Sequence, residues 1–152
     1  MSHSSVSLPA HIARSREVPA LNVFGIAVTP LAGAPETADA CSVARVVCPP
    51  GADAPFHRHA QAENFYVVRG RLAVRLGADT VEVAAGDFVH IPPHLPHTFA
   101  NPDTAEAEFI TFGTPAGHDR FFCEADALAR SGGFNPQSAT ALCTRHGIEL
   151  LR

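Results

Sequence analysis

The stretch GADAPFHRHAQAENFYVVRG, at residues 51–70, decides the fold and carries most of the candidate chemistry. His57 and His59 stand two residues apart, so on an extended strand their side chains point to the same face. Glu63 follows a short interruption at residues 60–62 and precedes the apolar run FYVV. We therefore predict that two imidazoles and one carboxylate converge on one cavity.

A second stretch, GDFVHIPPHLPHTFAN at residues 86–101, supplies a fourth candidate group. Its three prolines impose a stiff turn that a central strand cannot contain. His97 restarts a strand directly after this turn, and we predict that it arrives at the site from a neighbouring strand. His90 and His94 lie in the same stretch, but we interpret them as solvent-facing or turn residues and leave them out of the site.

The donor set points to one divalent transition metal held by His57, His59, Glu63 and His97. Three neutral imidazoles and one carboxylate suit Fe, Mn, Ni, Co, Cu or Zn and are too rich in nitrogen for Mg or Ca. An octahedral ion with these four ligands keeps two positions for water or substrate. A tetrahedral zinc ion with the same ligands forms a closed, structural site. The ligand types alone do not choose between these cases.

The sequence around these two stretches predicts an all-β fold. Residues 22–110 consist of short apolar or alternating runs separated by Gly, Pro, Asn and Asp. The run RLAVRL at residues 71–76 alternates throughout, as expected for a strand with one buried face. Several such strands at near-regular spacing predict a sandwich or barrel. The side chains that we expect to face its interior are Phe65, Val67, Leu72, Val74 and Phe99.

The pattern changes after Gly113, where two segments are typical of short helices. In the second segment Asn135 is a candidate N-cap, Pro136 fits the first helical position, and Gly147 can end the helix in a left-handed conformation. We expect both helices to pack on the outside of the barrel. The predicted organisation is an N-terminal arm at 1–20, a β-barrel at 21–115 and a C-terminal helical extension at 116–152.

Composition favours small-molecule chemistry. The chain has 152 residues, a net charge of −4 and no Lys/Arg run, so we expect no nucleic-acid or membrane partner. No segment approaches the roughly 18 to 20 apolar residues of a spanning helix. We expect a cytoplasmic protein that binds a small organic molecule.

The two stretches resemble the two signature motifs of the cupin superfamily, and the resemblance covers about residues 20–115. The fixed positions of the first motif are matched by Gly51, His57, His59, Glu63 and Gly70. Those of the second are matched by Gly86, Pro92, His97 and Asn101. The family usually has Gly at the position of His94. This departure predicts either a different local backbone or a His in the left-handed conformation.

The resemblance implies a double-stranded β-helix, or jelly-roll, barrel with a bound metal and, by analogy with other cupins, a homodimer. The segment from Gly113 onward is also similar to the extension of small bacterial cupins described as quercetin 2,3-dioxygenase-like. We therefore expect an O₂-dependent dioxygenase in which Glu63 is both a metal ligand and the candidate general base. The alternatives are a redox-neutral isomerase, lyase or polyketide cyclase, and a binding protein without turnover.

Overall fold

The structure is a computed structural model that describes residues 7–152. Three α-helices lie at Ala34–Thr37 (α1), His118–Arg130 (α2) and Pro136–Arg145 (α3), and a single 3-10 turn lies at Ser15–Glu17. The strands are β1 (Leu21–Val23), β2 (Ile26–Ala32), β3 (Ser42–Cys48), β4 (His57–Arg58), β5 (Ala62–Arg69), β6 (Arg71–Leu76), β7 (Asp79–Ala84), β8 (Phe88–Ile91), β9 (His97–Ala100), β10 (Ala107–Thr114) and β11 (Glu149–Leu150).

These strands form two antiparallel sheets that sandwich the core. The first sheet has the order β1-β2-β3-β10-β5-β8, and the second has the order β11-β4-β9-β6-β7. The order of strands fits a jelly roll, which confirms the predicted fold class. In the described residues no ladder of hydrogen bonds joins the two sheets, so side-chain packing between them holds the sandwich together.

The core consists of the side chains that the alternating pattern predicted to face inward. Phe65, Val67, Leu72 and Val74 are at most 1% exposed, and Phe99 is partly buried. Phe65 and Phe99 make edge-to-face contacts with Phe109 of β10, at ring-centroid distances of 4.9 and 5.1 Å. Because aromatic rings bury large apolar areas and pack in specific geometries, this cluster fixes the distance between the sheets.

The two C-terminal helices are present where the sequence predicted them. Asn135 caps α3 by accepting a hydrogen bond from the Ser138 backbone N–H at 2.8 Å, and Pro136 occupies the first helical position. Gly147 follows the helix with a φ of 69°. The expectation that both helices lie wholly outside the barrel is corrected at α2, whose first turn lines the interior cavity.

Two features of the fold were not expected from the sequence. The four-residue helix α1 separates β2 from β3, and the short strand β11 pairs with β4. Along the predicted N-terminal arm, His11 hydrogen bonds to the Leu31 carbonyl at 2.8 Å. Residues 1–6 of that arm lie outside the described residues, and the domain boundaries and the homodimer stay predictions. None of the described helices has the length and apolarity needed to cross a membrane.

Asn101 closes the end of β9 through three side-chain hydrogen bonds. Its Nδ2 donates to the carbonyls of Cys48 and Ala105 at 2.9 and 2.8 Å, and its Oδ1 accepts from the Asp103 backbone N–H at 3.0 Å. The side chain is 2% exposed. These bonds satisfy backbone groups that would otherwise be unpaired in the interior, where an unpaired polar group is costly.

We predict that Asn101→Leu destabilises the fold. The replacement has a similar volume but leaves one N–H and two carbonyl groups without their partner, so the free energy of unfolding should fall by about 2–4 kcal/mol. Urea denaturation followed by circular dichroism measures this change. The control is Glu82→Ala, which removes only a surface pair with Arg71 and should leave the midpoint almost unchanged. Equal midpoints for Asn101→Leu and wild type would contradict the assignment.

Candidate metal centre

The four predicted ligands come together at one end of the sandwich, between the two sheets. His57 in β4 pairs directly with His97 in β9, and Glu63 lies at the start of β5 in the other sheet. His59 follows β4 by one residue. Residues 59–61 carry the chain from one sheet to the other, which is why His59 and Glu63 approach the same point from opposite sides.

The geometry of this quartet suits a single ion. Each residue offers one ligand atom, and these four atoms lie within 4.8 Å of one another. The imidazole Nε2 atoms of His59 and His97 are each 3.0 Å from Glu63 Oε2. Ligand atoms bound to one ion at about 2.1 Å lie at most about 4.2 Å apart. The quartet therefore needs only a small contraction to surround an ion.

Backbone carbonyls fix the protonation of all three imidazoles. The Nδ1 atoms of His57, His59 and His97 lie 2.7, 3.0 and 2.7 Å from the carbonyl oxygens of residues 55, 61 and 95. A carbonyl oxygen only accepts hydrogen bonds, so each Nδ1 carries a hydrogen, and in the neutral imidazole each Nε2 is left with its lone pair. Hydrogen bonds of this kind orient histidine ligands and raise their basicity in metal sites.

The lone pairs on the Nε2 atoms and on the Glu63 carboxylate indicate which kind of ion the centre binds. Two neutral Nε2 atoms and a carboxylate oxygen at 3.0 Å repel one another unless a proton or a cation lies between them. Three nitrogen donors and one carboxylate oxygen are a ligand set for a divalent first-row transition metal. The residues present therefore fit the metal that the sequence predicted, and they leave its identity open.

Burial and neighbouring charges shift the ionisation of the quartet. Desolvation by burial, with the nearby His97, lowers the pKa of His57 to about 4. Burial alone would raise the pKa of Glu63, but hydrogen bonds from His59 and His97 outweigh it and lower this pKa well below its ordinary value. Burial would likewise lower the pKa of His97, but the Glu63 carboxylate raises it. A proton shared by His97 and Glu63 must leave when a cation binds.

Thr111 of β10 was not assigned by the sequence analysis, although it holds the carboxylate ligand. Its hydroxyl donates to Glu63 Oε1 at 3.2 Å, and the residue is 4% exposed. The hydrogen bond occupies Oε1 and leaves Oε2 facing the imidazoles. Thr111 is separated from Glu63 by 48 residues in the chain, so only the pairing of β5 with β10 reveals this contact.

The quartet adjoins an interior cavity with a volume of about 100 Å³. His57, His59 and Glu63 form one part of its wall, and most of the remaining lining is apolar. The first turn of α2 contributes to the lining through His118, Phe121 and Phe122. The sequence analysis assigned no functional role to His118, Phe121 or Phe122. The local enrichment of histidine up to His118 was the available signal.

His90 and His94 lie apart from the quartet. Both are exposed, and His90 Nδ1 is 2.7 Å from the side-chain oxygen of Asn64. His94 has a φ of 66°, so it adopts the left-handed conformation, which is one of the two alternatives that its position in the motif predicted. Its backbone N–H donates to the His59 carbonyl at 2.8 Å and thereby ties the second motif to the first.

Fold and site together define a jelly-roll protein with a candidate metal centre between its sheets. Residues 44–113 match the family model described as "Cupin domain". Solved structures with the same fold include a Thermotoga maritima protein described as a predicted oxalate decarboxylase, with a TM-score of 0.64 and 21% identity, covering 68% of this chain and 98% of that chain. The chain is therefore similar to cupin domains over residues 44–113, slightly less than half of its length.

Further comparisons extend this similarity. The polyketide cyclase RemF from Streptomyces resistomycificus has a TM-score of 0.62 and 21% identity, covering 70% of this chain and 80% of that chain. At these identities the structures share the fold alone. An uncharacterized protein of Streptomyces coelicolor is 35% identical over 57 residues, which are 38% of this chain and 54% of the relative. The chain spans about half the length of the curated relatives it matches.

We predict that His59→Ala and His97→Ala each abolish metal binding. Each variant removes one nitrogen donor and leaves an incomplete ligand set around a buried carboxylate. Elemental analysis of protein purified without an affinity tag measures the bound metal. His90→Ala is the matched control, because it removes an imidazole outside the quartet and should retain about one equivalent. Stoichiometric metal in either site variant would refute the ligand assignment.

We also predict that Thr111→Val weakens metal binding by about ten-fold. The variant keeps the shape of the side chain but removes the hydrogen bond to Glu63 Oε1, and such supporting contacts are typically worth 10- to 100-fold in affinity. Competition with a chromophoric chelator gives the dissociation constant. Thr111→Ser restores the hydroxyl and should recover most of the affinity. An unchanged constant for Thr111→Val would show that Glu63 is positioned without it.

Proposed function

We propose that this protein is a cupin and a metal-dependent enzyme that acts on a small organic molecule, and that the reaction is an O₂-dependent dioxygenation. The observation that carries this proposal is the position of the quartet at the wall of a mostly apolar cavity. A metal centre that only stabilises the fold has no need of an adjoining cavity. A concave, mostly apolar pocket with a few convergent polar groups is the usual form of a small-molecule site.

The size of the cavity limits the substrate. Its volume of about 100 Å³ is of the same order as the apolar cavity of about 150 Å³ that accommodates benzene in a well-studied protein, so one small ring is its upper limit. A three-ring flavonol exceeds this space. We therefore propose a smaller substrate than the flavonols of quercetinases, with an enolisable β-dicarbonyl or a compact catechol as the chemical class. Either class offers an anionic oxygen to a metal and a compact apolar body to the cavity.

The residues of the centre have separate tasks in this proposal. His57, His59 and His97 would hold the metal, which when bound supplies Lewis-acid activation of the substrate oxygen and, for a redox-active ion, a route to O₂. Glu63 would add the carboxylate ligand. Glu63 is also the candidate base for the substrate hydroxyl, since a carboxylate within reach of that proton can accept it. Thr111 would keep the carboxylate in place during this transfer.

The apolar lining supports chemistry that must exclude water. Phe99 and Phe109 line the cavity on the side of the core, and Phe121 and Phe122 line it on the side of α2. An environment of low polarity strengthens the interaction between the centre and an anionic substrate. The same environment protects a reactive substrate anion from protonation by solvent.

A redox-neutral reaction is the second candidate, and the shared fold with a polyketide cyclase favours it. The quartet can bind a redox-inactive ion such as Zn²⁺ equally well. In that case the substrate anion would react by isomerisation, elimination or cyclisation without O₂. A protein that binds a metal or a ligand without turnover is the third candidate.

Oxygen dependence separates these candidates. The protein is purified with its native metal, the metal is quantified, and O₂ uptake is recorded with a panel of small β-dicarbonyl and catechol compounds. We expect about one equivalent of Fe, Mn, Ni or Cu, and O₂ consumption that matches substrate loss and is absent from His59→Ala. Turnover that continues under argon would sink the dioxygenase proposal in favour of the redox-neutral one. Zinc without turnover in either atmosphere would favour the binding protein.

A further inference from the structure

His118 places an unsatisfied polar atom in the wall of the cavity. It is the first residue of α2, is 7% exposed and lines the cavity together with three residues of the quartet. Its Nε2 is buried and has no hydrogen-bond partner among the described residues. Since a buried polar atom without a partner is costly, native proteins rarely retain one unless another molecule satisfies it.

The surroundings of His118 are built to accept its ring. Gly113 of β10 lies opposite Glu63 in the register of β5 and β10. A Cβ atom on Gly113 would lie 2.8 Å from His118 Nδ1, which is closer than ordinary packing allows. The absence of a side chain at this one position therefore lets the imidazole lie against the strand that faces the carboxylate ligand.

Hydrogen bonds at the start of α2 fix the backbone that carries this ring. Asp119 Oδ1 accepts from the Gly117 N–H and Oδ2 accepts from the Ala34 N–H, both at 3.0 Å. The second of these bonds ties the helix to α1. Both carboxylate oxygens of Asp119, the residue after His118, accept hydrogen bonds from backbone N–H groups. The fold therefore sets the position of His118 without a bound molecule.

The ring of His118 lies beside the metal centre without belonging to it. Its centroid is 4.5 Å from that of His59, in an edge-to-face arrangement, and 6.1 Å from that of Phe122. The group of ligand atoms that could hold an ion does not include His118. A molecule bound to the quartet and extending into the cavity would therefore pass next to the unsatisfied Nε2.

We infer that His118 is a substrate-binding residue that donates a hydrogen bond from Nε2 to a second oxygen of a molecule whose first oxygen binds at the quartet. This inference rests on the proposed function only in that the quartet holds a metal. It assigns the ligand to small anions with two nearby oxygen atoms, such as carboxylates and β-dicarbonyl enolates. The inference also gives α2, which begins with His118, a role in selecting among these anions.

The test uses Co²⁺-loaded protein, whose visible spectrum changes when an anion reaches the metal. Propionate is the first probe, because its carboxylate offers one oxygen to the metal and one to His118. Bromide is the second probe, because a single atom has no second oxygen to offer. We expect His118→Phe to bind one equivalent of Co²⁺. Its dissociation constant for propionate should rise by about ten-fold, while its dissociation constant for bromide should stay within two-fold of the wild-type value. His118→Gln restores a side-chain N–H and should recover most of the loss.

A matched control and a direct readout complete the experiment. Phe122→Leu enlarges the same cavity without removing a polar atom. It should change the dissociation constants of propionate and bromide by the same factor. In Zn²⁺-loaded wild type, the Nε2 signal of His118 in a long-range ¹H–¹⁵N spectrum should move with propionate and not with bromide. A static signal, equal effects of His118→Phe on both probes, or loss of Co²⁺ from both His118 variants would overturn the inference.

The outcomes of this experiment distinguish failure of the His118 inference from failure of the proposed function. A wild type that discriminates between the probes through His118 but turns over no substrate would refute the enzyme proposal and uphold the binding role. A wild type that binds Co²⁺ and turns over substrate, but with no effect of His118→Phe on propionate, would refute only the inference. Absence of Co²⁺ binding in the wild type would refute both.

Discussion

The hydrogen bonds from three imidazole Nδ1 atoms to nearby backbone carbonyls are the constraint on which the centre depends. In each case the accepting carbonyl lies only two residues away in the chain. The local backbone therefore sets both the tautomer of each neutral imidazole and the direction of its ring. Long-range folding then has to bring together only three preoriented groups and one carboxylate. This division explains how a site that spans two sheets can be built from two short motifs.

The register between β5 and β10 sets the positions of Glu63, Thr111 and Gly113 relative to one another. It places Glu63 opposite Gly113, and it brings Thr111 to the same inward face. One strand thus supplies both the hydroxyl that holds the carboxylate and the gap that receives His118. A shift of β10 by one residue would turn Thr111 and Gly113 to the outer face and leave Glu63 inside, since side chains alternate along a strand. The buried aromatic cluster of Phe65 and Phe109 opposes such a shift.

The sequence predicted the parts of this structure that depend on local patterns. Alternation identified the inward residues of β5 and β6, capping residues identified α3, and the two motifs identified four groups that the fold does bring together. It did not predict α1 or β11, because four and two residues are too few for a periodic signal. It also missed Thr111 and His118, whose importance arises from contacts across β10 and from a missing Cβ. Such contacts become visible only when strand pairing is known.

The location of the quartet has a thermodynamic consequence for the whole molecule. His57 and His97 belong to one sheet and Glu63 to the other, and no ladder of hydrogen bonds joins these sheets in the described residues. An ion bound by all three residues would act as a cross-link between the two halves of the core. Folding and metal loading would then be coupled equilibria, and each ten-fold excess of free metal over its dissociation constant would add about 1.4 kcal/mol to the free energy of unfolding. The resistance of the protein to heat would thus report on the metal content of its surroundings.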